Sequence, residues 1–319
     1  MRIVSLLPSA TEIICALGLR DSLVGVSHEC DFPGDVGALP RVTTSAIDKD
    51  LSSAAIDQQV RDYLETSDAL YVLDLDLLAE LQPDLIVTQA LCDVCAVSAV
   101  DVEAAICRLP TAPAIVNLEP VSLADLYQTI ERVADAAGQP DAARTLIANL
   151  QSRVERVANA CATVSDRPRT ACLEWIDPPF NAGHWTPELV SLAGGISVTG
   201  EAHQPSRTID WEAIVKADPE IVFVACCGYS LERTLEDLPM LQQGPASIDP
   251  EFWANRQVFV TDGNQYFNRP GPRLVDSLEI LADALHPQLN LLDPALPKAS
   301  SVVLRTSRNE KSGLSLRHG

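Results

Sequence analysis

The strongest constraint on the fold of this chain is a short pattern that occurs twice. Residues 79–87 have the sequence AELQPDLIV, and residues 215–223 have the sequence VKADPEIVF. In each copy the end of a helix is followed by proline, an acidic residue and a short apolar run. Proline ends the helix, the acidic side chain keeps the turn in water, and the uninterrupted apolar run is typical of a parallel strand buried on both faces. Two copies of one such unit predict two similar α/β lobes.

The remaining segments of both halves alternate between strand and helix. Short apolar runs predict strands at Ile3–Leu7, Leu23–Ser27, Leu85–Thr88, Arg169–Trp175 and Gln257–Thr261. The first strand is followed by Ser9–Glu12, which has the S-x-x-E form of a capping box. A second helix is predicted over Leu75–Leu81, and a third starts at Thr186 with Pro187 in its first turn.

A long helical stretch separates the two halves. Residues 122–137 and 141–163 have the apolar spacing of amphipathic helices, with Gly138-Gln139-Pro140 between them. The predicted division is an N-terminal lobe (1–120), a helical connection (121–166), a C-terminal lobe (167–289) and a disordered tail (290–319), which has no periodicity. We therefore predict an α/β fold of two Rossmann-like lobes with parallel sheets, joined by a long backbone helix, with a ligand cleft between them.

Charge and cysteine usage limit the functional class. The chain has 44 acidic and 23 basic residues, a net charge of −21, which argues against nucleic acid as a partner. No segment has the roughly 18 consecutive apolar residues that membrane insertion needs. The first residues do not have the pattern of a secretory signal, and nine cysteines, an odd number, are typical of a reducing compartment. We expect a cytoplasmic protein.

The candidate binding residues follow the carboxyl ends of the predicted strands, where open α/β sheets bind ligands. The side chains that we single out there as ligand-binding are Ser9, His28, Glu29, Trp175, His184, Trp185, Tyr229, Tyr266, Asn268 and Arg269. The aromatic rings suit stacking on a flat ligand, or they cap the core of the lobe. The histidines are ligand contacts, or loop residues with ordinary hydrogen bonds.

Cysteines also occur on these loops. Cys92-x-x-Cys95 has the spacing of a zinc or iron–sulfur half-site or of a redox pair. With Cys30 and Cys227 it predicts a four-thiolate metal site, and the alternative is that these side chains fill space as small apolar groups. Cys15, Cys107 and Cys161 fall within helical patterns, so we expect them in the core.

The sequence contains none of the motifs GxGxxG, GxxxxGK[ST], HExxH and GxSxG. No nucleophile, base and oxyanion pattern emerges either. We therefore favour binding over catalysis.

Three features together resemble a known family. Residues 2–12 (RIVSLLPSATE), residues 17–26 (LGLRDSLVGV) and the repeated Pro-acid-strand unit are similar to the cobalamin- and iron-siderophore-binding proteins of ABC importers, which are class III solute-binding proteins with a helical backbone. The resemblance extends over about residues 1–288. It implies cobalamin or another corrinoid as the ligand, and one carboxylate on each lobe that docks onto permease arginines, for which Asp76 and Glu188 are the candidates.

The cysteine loops are not typical of the periplasmic members and look like a cytoplasmic branch of the group. Three functions remain open from the sequence. The first is a cytoplasmic carrier or sensor of a corrinoid or another metal complex. The second is a cysteine-ligated metal or iron–sulfur protein with a redox role, and the third is an importer receptor whose true start lies upstream.

Overall fold

The computed structural model describes residues 1–66, 70–89, 112–242, 251–304 and 315–317. The chain divides into two compact units. The N-terminal unit contains Met1–Leu150 and Pro270–Pro272, and the C-terminal unit contains Gln151–Arg269 and Arg273–Gly319. The boundary after Leu150 falls inside the stretch that the sequence predicts as the helical connection. The short segment Pro270–Pro272 belongs to the N-terminal unit although it lies late in the chain.

The N-terminal unit is built on a small parallel sheet. Its strands are β1 (Ile3–Ser5), β2 (Leu23–Val26), β3 (Thr43–Ser45), β4 (Tyr71–Leu73), β5 (Leu85–Gln89) and β6 (Ala114–Leu118). Its helices are α1 (Pro8–Ala16), α2 (Ser53–Thr66), α3 (Leu75–Leu81) and α4 (Leu123–Ala136). The sheet order is β2-β1-β5-β6 with every pair parallel, while β3 and β4 form a separate antiparallel pair.

The core of this unit contains the apolar side chains that the strand runs supply. Val4, Leu6 and Ile86 from the sheet pack with Val42 and Leu78 in one buried cluster. The sheet and α3 approach closely at Gly25, because a Cβ there would lie 2.6 Å from Leu81 Cδ1.

The C-terminal unit has a larger, mixed sheet. Its strands are β7 (Arg169–Trp175), β8 (Phe180–Asn181), β9 (Ile196–Ser197), β10 (Arg207–Thr208), β11 (Ile221–Val224), β12 (Gln257–Val260), β13 (Ser300–Val303) and β14 (Ser315–Arg317). The helices that follow α4 are α5 (Pro140–Cys161), α6 (Thr186–Leu192), α7 (Trp211–Ala217), α8 (Leu231–Asp237), α9 (Glu251–Ala254) and α10 (Leu274–Leu285), and α5 crosses the unit boundary.

The core of this sheet is parallel and its edges are mixed. Strand β11 pairs in parallel with β7 and β12, and β9 pairs in parallel with β7. Strands β8, β10, β13 and β14 join as antiparallel edges, which the sequence did not predict. The physical reason lies in the short turn at residues 176–179, because a connection of this length returns the chain only antiparallel to the strand it leaves.

The repeated pattern has one geometry in both units. Helices α3 and α7 each end at a residue in the left-handed region, Gln82 (φ 44°) and Asp218 (φ 45°), directly before the proline. A left-handed residue is the usual end of a helix, and the proline after it prevents continuation. The sequence prediction of two similar units is confirmed in these elements.

An arginine at the start of the first strand secures this turn in each unit. Arg2 donates from Nε to the carbonyl of Leu81 (2.7 Å) and from its backbone N–H to Asp84 Oδ2 (2.6 Å). Arg169 donates from Nη2 to the carbonyl of Ala217, the last residue of α7, and from Nε to the carbonyl of Asp218 (3.1 Å). Its backbone N–H donates to Glu220 Oε2 (2.9 Å). We call these contacts the arginine clamp. The clamp joins helix end, turn and strand start in both copies.

Two sequence predictions are corrected. Ser9 and Glu12 do not form a capping box, because Pro8 already occupies the first turn of α1 and the cap position falls on Leu7. Both side chains lie within the helix and are buried.

The second correction concerns the C-terminal segment. Residues 290–304 are not disordered, since β13 pairs with β12 and the side chains of Leu291, Val302 and Leu304 are buried. The apolar residues are too few and too widely spaced to give a periodic signal, so the sequence could not reveal this strand. Residues 305–314 lie outside the described ranges.

Candidate ligand-binding site

Four of the predicted site residues lie at one edge of the N-terminal sheet. The parallel strands β1 and β2 end there. Ser9 lies in the first turn of α1, directly after β1, and His28, Glu29 and Cys30 lie on the loop after β2. Cys92 and Cys95 lie in residues 90–111, outside the described part of the chain.

Ser9 in α1 and Cys30 on the loop after β2 are both buried. Ser9 is 2% exposed, and its Oγ has no hydrogen-bond partner among the described residues. Cys30 is 1% exposed, and its Sγ lies 3.1 Å from the hydroxyl of Thr11, which is 2.8 Å from Ser5 Oγ. This geometry favours the interpretation of Cys30 as a packed thiol.

His28 is held in one orientation. Its Nδ1 lies 2.8 Å from Thr43 Oγ1, and its backbone N–H donates to the same oxygen at 3.0 Å. The imidazole packs against the ring of Tyr71 with 5.2 Å between ring centroids. Burial lowers the pKa of His28, although the neighbouring Glu29 opposes this effect. Its Nε2 is buried and has no hydrogen-bond partner in the described ranges.

An ion pair lies beside that nitrogen. Glu29 Oε1 is 3.9 Å from His28 Nε2 and 2.7 Å from Lys49 Nζ. The Lys49 side chain is 56% exposed and that of Glu29 25% exposed, so the pair borders solvent. At this edge the His28 imidazole therefore has a fixed orientation, and the Glu29 carboxylate beside its Nε2 borders solvent.

The corresponding edge of the C-terminal unit carries an aromatic pair. Trp175 at the end of β7 packs on Tyr229 with 4.7 Å between ring centroids, and Arg233 Cζ lies 4.7 Å above the Tyr229 ring. Trp175 is partly exposed, whereas Tyr229 is buried, and burial raises the pKa of Tyr229 to about 12. The exposed part of the Trp175 ring is thus available to a flat ligand, with Tyr229 as its support.

Trp185 and His184 have different environments. The indole N–H of Trp185 donates to the carbonyl of Phe267 at 2.8 Å, and the ring is buried, which favours the alternative that it caps the core. His184 adopts φ 51°, is partly exposed, and has a pKa lowered by burial. Its Nδ1 lies 3.5 Å from Ser206 Oγ.

The polar loop after β12 is held by its own side chains. Asn268 Nδ2 donates to the carbonyls of Ala225 (2.9 Å) and Gly263 (3.0 Å), and Arg269 Nη2 donates to Asn264 Oδ1 (2.9 Å). Asn268 and Arg269 are therefore fixed by hydrogen bonds. The side chains of Tyr266 and Arg269 are largely buried.

A cavity of about 10 Å³ lies in this unit between Glu174, Phe267 and Asn268. It has the size of a single water molecule. A ligand larger than water does not fit within this cavity.

The two cysteines after β11 differ in accessibility. Cys226 is buried and its pKa is raised by burial, whereas Cys227 is exposed. Within the described ranges, no group of three or more His, Cys, Asp or Glu side chains is arranged to hold a metal ion. The four-thiolate site of Cys30, Cys92, Cys95 and Cys227 remains a prediction, because two of its members lie outside these ranges.

The predicted docking carboxylates occupy helix starts. Asp76 is exposed in the first turn of α3, and Glu188 is partly buried in the first turn of α6. The offset of the repeat, however, relates Asp76 to Glu212, and each is the second residue of its helix. Glu212 is exposed, and the docking prediction did not include it.

Of the helices in the described ranges, none combines the length and apolar character needed to cross a lipid bilayer.

A family model of the periplasmic binding proteins matches residues 3–264. The chain belongs to this family. Among its relatives is a vitamin B12-binding protein of Vibrio cholerae, which is 23% identical over 282 residues, 87% of this chain and 86% of the relative. The resemblance to the binding proteins of ABC importers is thereby confirmed.

Solved structures show the same fold. A periplasmic heme-binding protein from Roseiflexus sp. RS-1 has a TM-score of 0.66 at 22% identity, with 90% of this chain and 98% of that chain covered. The periplasmic vitamin B12-binding protein of Vibrio cholerae has a TM-score of 0.63 at 21% identity, with 91% and 97% covered. The predicted α/β fold class is confirmed.

Proposed function

We propose that this chain is a receptor for a metal-containing macrocycle, a corrinoid or a heme, which it binds as a small ligand at the strand ends. The family match over residues 3–264, with relatives of similar length named for vitamin B12 and heme, is the observation that carries the proposal. The side chains at both strand-end edges agree with such a ligand.

The C-terminal edge supplies a surface for a flat ring. The Trp175 indole packs against the Tyr229 ring, with 4.7 Å between the ring centroids. Stacking of a ligand ring on an aromatic side chain contributes about 0.5–1.5 kcal/mol beyond the buried area. Arg233 is placed by its 2.7 Å ion pair with Asp237 and offers a cation near the same surface. Amide and carboxylate groups at the rim of a macrocycle are acceptors for such a guanidinium.

Titration of the purified protein with cyanocobalamin and with hemin, followed by absorbance and calorimetry, tests the proposal. We expect saturable binding of one of the two at equimolar stoichiometry. Trp175→Ala weakens that binding by about tenfold through the loss of stacking and buried area. Trp211→Phe, a change at the start of α7, is the matched control and leaves the affinity unchanged. Lack of any saturable response to either compound contradicts the proposal.

We further propose that the protein acts in the cytoplasm as a carrier or sensor. The odd number of cysteines, nine, favours a reducing compartment over a secreted disulfide framework. Cell fractionation with an antibody against the native chain tests this location. Recovery of the protein outside the cytoplasm favours a receptor of an importer, in which Asp76 docks onto a permease with Glu188 or with its repeat equivalent Glu212.

The predicted four-thiolate site has its own test. Protein purified without oxygen is examined by visible spectroscopy and elemental analysis for iron and zinc. Iron–sulfur absorption or one equivalent of zinc that is lost in Cys92→Ser supports the site, and protein free of both metals contradicts it.

A further inference from the structure

The Nε2 atom of His28 is the most conspicuous polar atom that the fold leaves without a role. It is buried and makes no hydrogen bond within the described ranges. A buried polar group without a hydrogen bond costs about 1–3 kcal/mol, so such groups require an explanation, and a function is one of the recognised explanations.

The rest of the residue is fixed. Thr43 Oγ1 lies 2.8 Å from Nδ1 and also accepts the backbone N–H of His28, while the Tyr71 ring packs on the imidazole. When Nδ1 carries the proton and donates it to Thr43 Oγ1, the lone pair of the imidazole is at Nε2. A histidine that ligates a metal is oriented in this way, with its other nitrogen bonded to a neighbouring oxygen.

The group that lies next to Nε2 can move. Glu29 Oε1 is 3.9 Å away and is held by Lys49 at a position that borders solvent. Exposed ion pairs contribute only about 0–1 kcal/mol. Displacement of the Glu29 carboxylate by a ligand that approaches Nε2 therefore costs little free energy.

A single imidazole cannot hold a bare metal ion, which needs three or more protein ligands in most sites. The described residues contain no cluster of that kind. The lone ligand therefore fits a metal whose other positions are already filled by its own ring. That requirement is met by the cobalt of a corrinoid and by the iron of a heme.

We infer that His28 Nε2 is the axial ligand of the metal in the bound macrocycle, an assignment that rests on the proposed function. The nitrogen lone pair forms a dative bond to the metal, and the water or other weak ligand at that axial position leaves. The oxidation state of the metal does not change, and the proton stays on Nδ1. Thr43 is a positioning residue, because it acts only through the ring.

The test uses cob(II)inamide, a corrinoid that carries no nucleotide base, so that any axial nitrogen must come from the protein. In electron paramagnetic resonance, one axial ¹⁴N splits each cobalt line into a triplet. We expect this triplet in the wild-type complex and a doublet when the protein contains ¹⁵N-labelled histidine. The labelling arm needs no substitution and so does not depend on the folding of a variant.

Substituted variants show which histidine supplies the axial nitrogen. His28→Ala retains the corrinoid on gel filtration but loses the splitting, and added imidazole restores it. Thr43→Val reduces the fraction of molecules with split lines. His203→Asn, a change at an exposed loop histidine, retains the triplet. If hemin is the compound that binds, the nitrosyl adduct of the ferrous heme is used. The nitrosyl nitrogen gives three lines, and an axial histidine splits each of them further, into three with ¹⁴N and into two with ¹⁵N. For heme it is this further splitting, and not the nitrosyl triplet, that His28→Ala removes.

A failure of the proposed function can be distinguished from a failure of the axial assignment. If cyanocobalamin, cob(II)inamide and hemin all fail to bind, the proposed function fails and the inference falls with it. If the compound is bound but its lines show no histidine nitrogen, or if the triplet persists in His28→Ala, the axial assignment is wrong and the receptor function stands.

Discussion

At the scale of single residues, burial divides the described thiols into two classes. Burial raises the pKa of Cys172 to about 12 and that of Cys15 to about 11, whereas Cys227 is exposed. The thiolate is the reactive species, and it must also be accessible to a reagent.

We therefore expect iodoacetamide at neutral pH to modify Cys227 first among Cys15, Cys30, Cys172 and Cys227. Peptide mapping by mass spectrometry after short reaction times measures the order. The same reaction in denaturant removes the difference and is the control. Modification of Cys172 at the rate of Cys227 in the native protein would show that the packing of β7 is wrong.

Glu279 is a fully buried carboxylate in the C-terminal unit. Its Oε1 accepts from Arg153 Nε (3.0 Å) and Arg156 Nη2 (2.7 Å), and its Oε2 accepts the backbone N–H of Asp293 (3.2 Å). These bonds join α5, α10 and the C-terminal segment. The carboxylate is stable there only because both arginines and the N–H compensate its burial.

Glu279→Ala removes a buried carboxylate from two arginines, of which Arg153 keeps its ion pair with Asp276 at 2.7 Å. We expect a loss of about 2–3 kcal/mol in the free energy of unfolding, below the cost for a fully buried pair because both arginines retain contact with water. Chemical denaturation measures the change. Arg144→Ala, which removes the exposed ion pair with Asp141, is the control and changes stability by less than about 0.5 kcal/mol. Equal losses in the two variants would contradict this account.

The sequence predicted at which strand ends the candidate residues lie, but not which of their side chains are exposed to solvent. Strand ends follow from local apolar patterns, so the loops of His28 and Trp175 could be located. Trp185 could not be assigned to the core, because its burial depends on the carbonyl of Phe267, which is 82 residues away. Contacts of this range leave no trace in a local pattern.

At the scale of elements, the C-terminal segment is part of the sheet. Strand β13 covers β12, and the buried side chains of Leu291, Val302 and Leu304 fill the adjacent core. Each buried side chain of this size contributes about 1.5–3 kcal/mol.

Deletion of residues 290–319 therefore lowers the melting temperature strongly, because it removes this burial and exposes an edge of β12. Deletion of residues 305–319 keeps β13 and lowers the melting temperature much less. Thermal unfolding followed by circular dichroism compares the two truncations. A longer deletion that is as stable as the shorter one would mean that β13 adds nothing to the unit.

Helix and strand positions were the most predictable elements. Leu75–Leu81 and Arg169–Trp175 have the predicted bounds, because proline and apolar runs act locally. The start of α1 was misjudged, since two local signals competed there and Pro8 prevailed over the S-x-x-E pattern. The β13 pairing depends on a partner 42 residues upstream of it and could not be inferred.

At the scale of the whole molecule, the charge of −21 acts on all parts of the chain. Mutual repulsion of like charges destabilises a compact state, and salt screens it over a Debye length of about 30 Å at 0.01 M and about 10 Å at 0.1 M.

We therefore expect the melting temperature at pH 7 to rise by several degrees when sodium chloride is increased from about 0.01 M to about 0.3 M. Differential scanning calorimetry measures the shift. Near pH 4.5, the isoelectric point calculated from the sequence, the net charge is close to zero and the rise disappears. A melting temperature at pH 7 that falls with salt would show that attractive ion pairs outweigh the net repulsion.

The existence of two α/β units was predictable from the repeat alone, because the pattern repeats intact. The membership of Pro270–Pro272 was not predictable. This segment packs near Glu12, as a Cβ on Gly271 would lie 3.1 Å from Glu12 Oε2. Chain order alone places it with the residues on either side of it, so only the folded structure assigns it to the N-terminal unit.

The arginine clamp also gives the molecule an internal control. Each copy ends a helix, turns at proline and has an arginine bonded to the carbonyls at the turn. The same substitution can therefore be made in either copy of one chain, under one set of solution conditions. The difference between the two effects then reports the surroundings of each turn and not the turn itself.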